Sequence, residues 1–299
     1  MYALLIVTAL VCFSCGKEPV LEKARKEYEE GRYREVVFLV RHHLRRGGNR
    51  KPELLFLAGK SWMRLGVEAE AEDAFAEVYS IDSTWAPPIA EALKEEATIS
   101  IASGYTSRGK RFVLQAINYD HGVDFDRYNA IAGELLLEKG DFDGAIRYLG
   151  TYLERLPDTT GAAEVMMHLG AAYEGKGAYD EAVSLYRTFQ EQYPKSRLKT
   201  TIQWKLENLL FMKAQRCAID GEIEEAKRLL LDLVSSVHSP LVHERTSFLL
   251  GELFEKEGDI DRAVRYYTEV VNLNLGSSKR LVEKAKERIE RLETERARY

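Results

Sequence analysis

The chain has 299 residues, with 43 Lys and Arg against 48 Asp and Glu, which gives a formal net charge of −5. A chain without an overall basic charge lacks the electrostatic footprint of a nucleic-acid-binding protein, so the composition argues against such a partner. The sequence contains no low-complexity segment, no long linker and no strand-like alternation of apolar and polar residues, which predicts an all-α protein.

The chain begins with an apolar run. Residues 2–14 carry no charge, and the run is followed at once by Cys15, Gly16 and polar residues. Its length fits the apolar core of a signal peptide better than a bilayer-spanning helix. A small residue followed by Cys at this place resembles the lipobox of bacterial lipoproteins. The resemblance implies that Cys15 is lipidated and becomes the mature N-terminus, and that Gly16 favours the outer membrane. An ordinary cleaved signal peptide and a short membrane anchor are the alternatives.

A glycine recurs seven times along the rest of the chain, at spacings of 35 to 44 residues. A period in this range indicates stacked helical hairpins, because one hairpin buries its apolar face only against its neighbours. Glycine is favoured at a hairpin turn because it adopts the left-handed conformation that ends a helix. Five of the seven are followed, five residues later, by an alanine that lets two helices approach closely. The turn glycines are Gly31, Gly66, Gly104, Gly140, Gly177, Gly221 and Gly258.

The prolines agree with this segmentation. All seven fall between proposed repeats or in a first helical turn, whereas proline inside a helix costs roughly 3 kcal/mol. The longest spacing, between Gly177 and Gly221, predicts about two additional turns in the first helix of the sixth repeat. The prolines are Pro19, Pro52, Pro87, Pro88, Pro157, Pro194 and Pro240.

The fifth repeat is the clearest copy of the pattern. Its motif residues are Met166, Leu169, Gly170, Tyr173, Gly177, Ala182, Tyr186, Phe189 and Pro194. This order of small, aromatic and turn residues resembles the tetratricopeptide repeat. The resemblance covers residues 20–275 and implies a right-handed α-solenoid of about seven helical hairpins. Residues 276–299 are charged, with apolar residues at helical spacing, and are predicted to form a capping helix. Residues 1–14 are then the signal peptide and residues 15–19 the anchor and a short linker.

The same resemblance locates a binding surface. In this family the first helix of each repeat lines a concave groove, and one outward-facing position lies three residues before the conserved small residue. Four of the seven residues at that position are large and apolar. They are Phe56, Met167, Phe211 and Phe248. An apolar groove accepts the face of an amphipathic helix or an extended peptide, so these four are the predicted partner-binding residues. The alternative is that some of them fold inward against neighbouring repeats.

Residues 41–51 form a basic segment that contains two histidines, five Lys or Arg and no acid. One interpretation is contact with anionic lipid headgroups, since the segment lies close in sequence to the proposed anchor. The other is that cations complement the dipole at a helix C-terminus, with Gly47 and Gly48 ending the helix. The two interpretations are compatible.

The sequence shows no recognisable motif of catalytic, cofactor-binding or metal-binding residues. The histidines lack the i, i+4 spacing of helical metal ligands, and His238 and His243, which flank a turn, have no acidic partner in the pattern. No phosphate loop, nucleophile elbow or dinucleotide fingerprint occurs. We therefore expect no enzyme activity, no cofactor and no metal.

These observations predict a non-enzymatic protein–protein interaction scaffold, tethered through Cys15 to the periplasmic face of the outer membrane. Its expected partners are envelope proteins or peptides bound in the groove. The Tyr-Pro-Lys-Ser ending at residues 193–196 resembles lipoproteins of the BamD type, which implies a role in outer-membrane protein assembly. The alternatives are a pilus-assembly or cell-division lipoprotein, or an accessory subunit that presents substrate to a separate envelope enzyme.

Overall fold

The computed structural model describes residues 19–156, 161–273 and 279–297. Within these residues the regular structure is entirely helical, with fifteen α-helices and two short 3₁₀ turns. The helices are α1 (Pro19–Glu29), α2 (Tyr33–Arg45), α3 (Pro52–Arg64), α4 (Glu68–Ile81), α5 (Ala86–Ala102), α6 (Thr106–Tyr119), α7 (Asn129–Glu138), α8 (Phe142–Arg155), α9 (Ala162–Lys176), α10 (Tyr179–Gln192), α11 (Lys199–Asp220), α12 (Ile223–Ser236), α13 (Pro240–Lys256), α14 (Ile260–Leu273) and α15 (Lys279–Arg296). The first fourteen pack in consecutive pairs, so the predicted all-α fold of seven helical hairpins and a terminal helix is confirmed.

The helices form two compact units, Met1–Phe125 and Asp126–Tyr299. The described part of the first unit holds the hairpins from α1 to α6, and that of the second holds the hairpins from α7 to α14 together with α15. Nothing in the repeat pattern predicted this division. None of the helices in the described ranges is both long and apolar enough to cross a membrane.

The turns between paired helices are as predicted. All seven turn glycines have φ between 73° and 88°, the left-handed region that only glycine enters without strain. Pro52, Pro87 and Pro240 lie in the first turns of α3, α5 and α13. Pro157 lies outside the described residues. Local backbone preferences therefore set where each hairpin begins, turns and ends.

In four hairpins a glycine of the first helix lies directly against a larger residue of the second. A methyl group at Gly170 would come within 2.3 Å of the Tyr186 ring, and one at Gly251 within 2.6 Å of the Tyr267 ring. The four pairs are Gly59–Phe75, Gly133–Leu149, Gly170–Tyr186 and Gly251–Tyr267. The other three hairpins have an alanine and an aliphatic residue at the same spacing, namely Ala24 and Val40, Ala97 and Val113, and Ala214 and Leu230. A glycine leaves room for a large neighbour because a close-packed core tolerates neither a void nor an overlap.

A recurring ion pair connects a hairpin to the helix that follows it. In the fifth repeat Glu174 accepts a hydrogen bond from the buried tyrosine and lies 3.0 Å from Nζ of Lys205 on α11. In the seventh repeat Glu255 accepts the equivalent tyrosine hydrogen bond and lies 2.8 Å from the Arg288 guanidinium on α15. The terminal helix α15 thus takes the position that the first helix of a further repeat would have, as a capping helix does.

Candidate partner-binding surface

Two of the four predicted groove residues are buried. Phe211 is 4% exposed and Phe248 is 9% exposed, and both belong to the apolar core that α11 to α15 share. The Arg245 guanidinium covers the ring of Phe211 at 4.3 Å from its centroid, and the Phe248 ring contacts that of Tyr267 at 5.4 Å. The prediction that these two residues face outward is therefore wrong. Burial of large aromatic rings between adjacent helices removes more apolar surface from water than a groove position would.

The other two predicted residues, Phe56 and Met167, are half-buried. The Phe56 ring lies between those of Phe75 and Trp85, with centroid distances of 5.7 and 5.1 Å. Met167 packs against the core formed by α9, α10 and α11. Both side chains keep part of their surface accessible, and their contact with a partner stays a prediction.

Among the described helices, α11 has the most exposed large apolar residues. This helix has 22 residues against 15 in α9, which confirms the additional turns predicted for the sixth repeat. Trp204, Met212 and Ile219 are 46%, 43% and 75% exposed. A step of seven residues returns to nearly the same side of a helix and a step of eight lies about 80° further round, so the three side chains fall within one sector of about 80°. We call these three residues the α11 stripe; it is about 22 Å long at 1.5 Å per residue.

Two polar residues separate the members of the stripe. Asn208 donates a hydrogen bond to the carbonyl oxygen of Trp204 at 2.8 Å, and exposed Gln215 lies between Met212 and Ile219. Contact between large apolar side chains and water is unfavourable, so covering these three residues with another apolar surface would be favourable. The stripe can therefore contact an apolar surface, while its amides offer hydrogen bonds.

A cleft adjoins the C-terminal end of the stripe. It has a volume of about 410 Å³ and lies between α11, α13 and α15, with Ile219 and Leu249 on its apolar side. Glu252 and Lys256 line it as well, and neither has an ion-pair partner among the described residues. The cleft thus offers apolar contact beside charged side chains of both signs.

A buried carboxylate connects α11 to the start of α13. Glu207 is buried, and it accepts hydrogen bonds from the backbone N–H of His238 at 2.8 Å and of Ser239 at 3.0 Å, and from the Gln203 amide at 2.7 Å. Burial by itself would raise the pKa of Glu207, but these hydrogen bonds outweigh it and lower the pKa below its usual value. This carboxylate stabilises the N-terminal end of α13 beside the stripe-bearing helix.

The two histidines near this turn have acidic partners, which corrects the sequence interpretation. Nδ1 of His238 lies 3.3 Å from Glu207, and Nε2 of His243 lies 3.0 Å from Glu269. Each contact joins residues at least 26 positions apart, so no local pattern could have predicted it. The two histidines contact different carboxylates. Within the described ranges no group of three or more His, Cys, Asp or Glu is arranged to hold a metal ion.

The predicted lipidation site, Cys15, lies outside the described residues. The structural observations on partner binding therefore concern residues 19–156, 161–273 and 279–297.

Comparisons with known proteins place this chain beside repeat proteins. Two models of the tetratricopeptide repeat match it, at residues 132–197 and 246–281. Among curated proteins, none matches the sequence significantly. The matched residues cover the fifth hairpin and most of the fourth and seventh, which include the repeats with the fullest motif.

Several solved structures resemble the chain at low sequence identity. The C-terminal part of a tetratricopeptide-repeat protein of Cytophaga hutchinsonii is 16% identical, with 88% of this chain and 98% of that chain covered and a TM-score of 0.39. A tetratricopeptide-repeat protein of Bacteroides fragilis is 14% identical, with 69% and 98% covered and a TM-score of 0.44. A chain in the structure of Naa15/Naa10 bound to HypK is 14% identical, with 89% and 38% covered and a TM-score of 0.44.

Proposed function

We propose that this chain, which two tetratricopeptide-repeat models match at residues 132–197 and 246–281, is a tetratricopeptide-repeat scaffold that binds an amphipathic helix of a partner protein on the α11 stripe. Repeat arrays of this kind act through extended binding surfaces. The observation that carries the proposal is the exposure of Trp204, Met212 and Ile219 on one face of the longest described helix. The additional turns at the N-terminal end of α11 carry Trp204. Helix α9 forms its hairpin without such turns.

The spacing of the surface favours a helical partner. Asn208, Met212, Gln215 and Ile219 follow one another at steps of four, three and four residues. This is the spacing at which one helix presents a continuous seam to another helix packed along it. An extended peptide would instead need pockets at a two-residue period, which a helix face does not offer.

The cleft beside Ile219 adds selectivity. Glu252 and Lys256 would each form a charge-assisted hydrogen bond with an opposite charge on the partner helix. A partner without those charges would leave two ions partly desolvated and unpaired, which lowers its affinity.

The proposed binding is tested by crosslinking in the cell. A photo-reactive residue in place of Gln215 should capture one protein, with crosslinked peptides that map to a single amphipathic segment. The change Met212→Ser with Ile219→Ser should weaken that complex at least tenfold, because each side chain contributes about 1.5 to 3 kcal/mol when fully covered. Isolated partner and purified scaffold can then be measured by titration calorimetry.

The matched control changes two other apolar residues of similar exposure. Ile81 and Ile99 are 45% and 44% exposed and lie in the first unit. Ile81→Ser with Ile99→Ser should leave the complex unchanged. Equal affinity of the wild type and the Met212→Ser/Ile219→Ser variant would exclude the α11 stripe as the binding surface. Loss in both double variants would indicate a non-specific effect of surface hydrophobicity.

We further propose that the mature chain is tethered through a lipid on Cys15 at the periplasmic face of the outer membrane, with envelope proteins as partners. Support comes from the apolar run at residues 2–14, the Cys15–Gly16 junction and the short distance in sequence to α1. Intact-mass analysis of the protein from membranes should detect lipid on an N-terminal Cys15. An unmodified N-terminus would exclude the tether.

The identity of the crosslinked partner also tests the pathway. We propose outer-membrane protein assembly, which predicts a β-barrel assembly component or its substrate as the captured protein. A pilus subunit, a division protein or an envelope hydrolase would favour one of the alternatives instead.

A further inference from the structure

Helix α2 has one buried apolar face and one exposed basic face. Its buried face consists of Val36, Val37 and Val40. Its opposite face is basic and has an aromatic residue at its centre. The residues of this face are Arg34, Phe38, Arg41, His42 and Arg45, at steps of four, three, one and three residues. These steps place all five side chains on one side of the helix, and we call them the α2 face.

The aromatic residue at the centre of this face is Phe38. It is 62% exposed, and its ring stacks on that of His42 with a centroid distance of 5.8 Å. A phenylalanine with this exposure, surrounded by cations, matches the composition of helices that lie at the interface of an anionic membrane.

Three arginines on and beside the α2 face have no acidic partner among the described residues. No hydrogen bond or ion pair joins Arg34, Arg45 or Arg46 to a carboxylate, and the Arg41 guanidinium lies over the Trp62 ring at 4.6 Å. By contrast, Arg228 on α12 is held by carboxylates on either side of it. The positive charge of the α2 face is therefore available to external anions.

The end of the hairpin that carries most of this charge is the end nearest Cys15. Pro19, where α1 begins, lies four positions after Cys15, so an extended chain spans at most about 14 Å between them. Val20 at the start of α1 and Leu44 near the end of α2 pack against the same core. The last turn of α2, with Arg45, therefore lies beside the start of α1.

The helix ends with Gly47, whose φ is 78°. Arg45 and Arg46 consequently also complement the dipole at the C-terminus of α2, as the second sequence interpretation expected. This role does not bury the two charged groups, because both residues are exposed.

We propose that the α2 face lies on the membrane surface, with its arginines on anionic phospholipid headgroups and Phe38 at the level of the glycerol region. The inference rests on the proposed tether, which holds this hairpin next to the bilayer. Each cation near an anionic surface strengthens binding about fivefold, and the attraction extends over roughly one Debye length of about 10 Å. The contact orients the first unit on the membrane.

The contact is tested with the full chain carrying Cys15→Ser, so that binding does not depend on the lipid. The probes are vesicles of phosphatidylcholine alone and of phosphatidylcholine with 30% phosphatidylglycerol, at about 0.1 M salt. The apolar residues 2–14 are present in every variant, so they contribute equally. We expect preferential binding to the anionic vesicles, and a partition coefficient about 30-fold lower for Arg34→Gln with Arg45→Gln, two arginines of the α2 face. Far-ultraviolet circular dichroism checks that the variants remain folded.

The matched control removes the same net charge elsewhere. Lys284 and Lys286 on α15 are exposed and have no ion-pair partner in the described residues. Lys284→Gln with Lys286→Gln should change the partition coefficient less than threefold. An equal loss in both double variants would mean that net charge alone governs binding, and no difference between the two vesicle types would also overturn the contact.

A second measurement uses the lipidated protein reconstituted in the same vesicles. Tryptophan fluorescence of a Phe38→Trp variant should be quenched by brominated lipid in anionic vesicles beyond the quenching of the wild type. A protein that is lipidated but shows no additional quenching would overturn the α2 contact and leave the tether intact. If wild-type protein isolated from membranes carries no lipid on Cys15 while the preference for anionic vesicles persists, the tether is overturned and the contact is left intact.

Discussion

The fifth and sixth repeats close their hairpins in the same way with different residues. The fifth places Gly170 beneath the ring of Tyr186, whereas the sixth has Ala214 and Leu230 at the same two positions. The sixth also has a longer first helix, whose additional turns carry an exposed tryptophan, and it has the buried Glu207 at the position where α9 has Ala163. The comparison teaches that a hairpin needs two residues of complementary size rather than two particular residues. Helical turns added outside this pair, such as those of α11, can therefore carry residues for partner binding.

The largest effect should come from breaking the size match in the fifth repeat. Tyr186→Leu removes a fully buried ring and should cost about 3 kcal/mol, and Gly170→Ala should cost about 2 kcal/mol because its methyl group overlaps that ring. The double variant recreates the pair of the sixth repeat. It should cost at least 1 kcal/mol less than the sum of the single changes, as measured by urea denaturation.

The control for this cycle is Ala214→Gly in the sixth repeat, which should cost about 1 kcal/mol through helix propensity. Strictly additive costs for Gly170→Ala and Tyr186→Leu would show that the two positions are independent, contrary to the packing rule.

The buried carboxylate of the sixth repeat should give the next largest effect. Glu207→Gln should cost about 2 kcal/mol at pH 7, because hydrogen bonds to a charged acceptor are lost or weakened. The pKa of Glu207 is lowered from its usual 4.5, so its contribution is complete above that pH. It is lost as the pH falls through the lower pKa of the folded state, and the wild type and variant should then converge.

The pH dependence is read from denaturation curves between pH 3 and pH 7. Glu191→Gln, at an exposed position of α10, is the matched control and should be neutral within 0.5 kcal/mol. A difference between Glu207→Gln and wild type that grows below pH 4.5 would contradict the assigned direction of the pKa.

The smallest effect should be common to both repeats. Gly177→Ala and Gly221→Ala should each cost about 1 kcal/mol, since φ is 81° and 88° and a side chain there is strained although nothing lies within 4 Å. Gly150→Ala, within α8 and also without neighbours, should instead stabilise the protein by up to about 1 kcal/mol. Thermal denaturation distinguishes the destabilising turn variants from the stabilising Gly150→Ala. A clear difference in stability between the two turn variants would mean that the two repeats do not use the same type of turn.

Sequence reasoning predicted much of the fold and less of the candidate surface. Turn glycines, helix-starting prolines and the length of α11 depend on neighbouring residues, so the pattern reveals them directly. The surface prediction chose Phe211, whereas the exposed apolar residue is Met212, which lies about 100° further round the same helix. The choice depends on Arg245, a residue of another helix, which covers the Phe211 ring.

The sequence by itself determined the helices, their turns and the complementary sizes inside each hairpin, because backbone conformation and close packing act over a few residues to one repeat. Only the tertiary structure decided which apolar side chains of α11 remain in water, which carboxylate holds the start of α13, and that the arginines of α2 lack acidic partners. These properties depend on neighbours about thirty residues away, whose positions follow from helix packing.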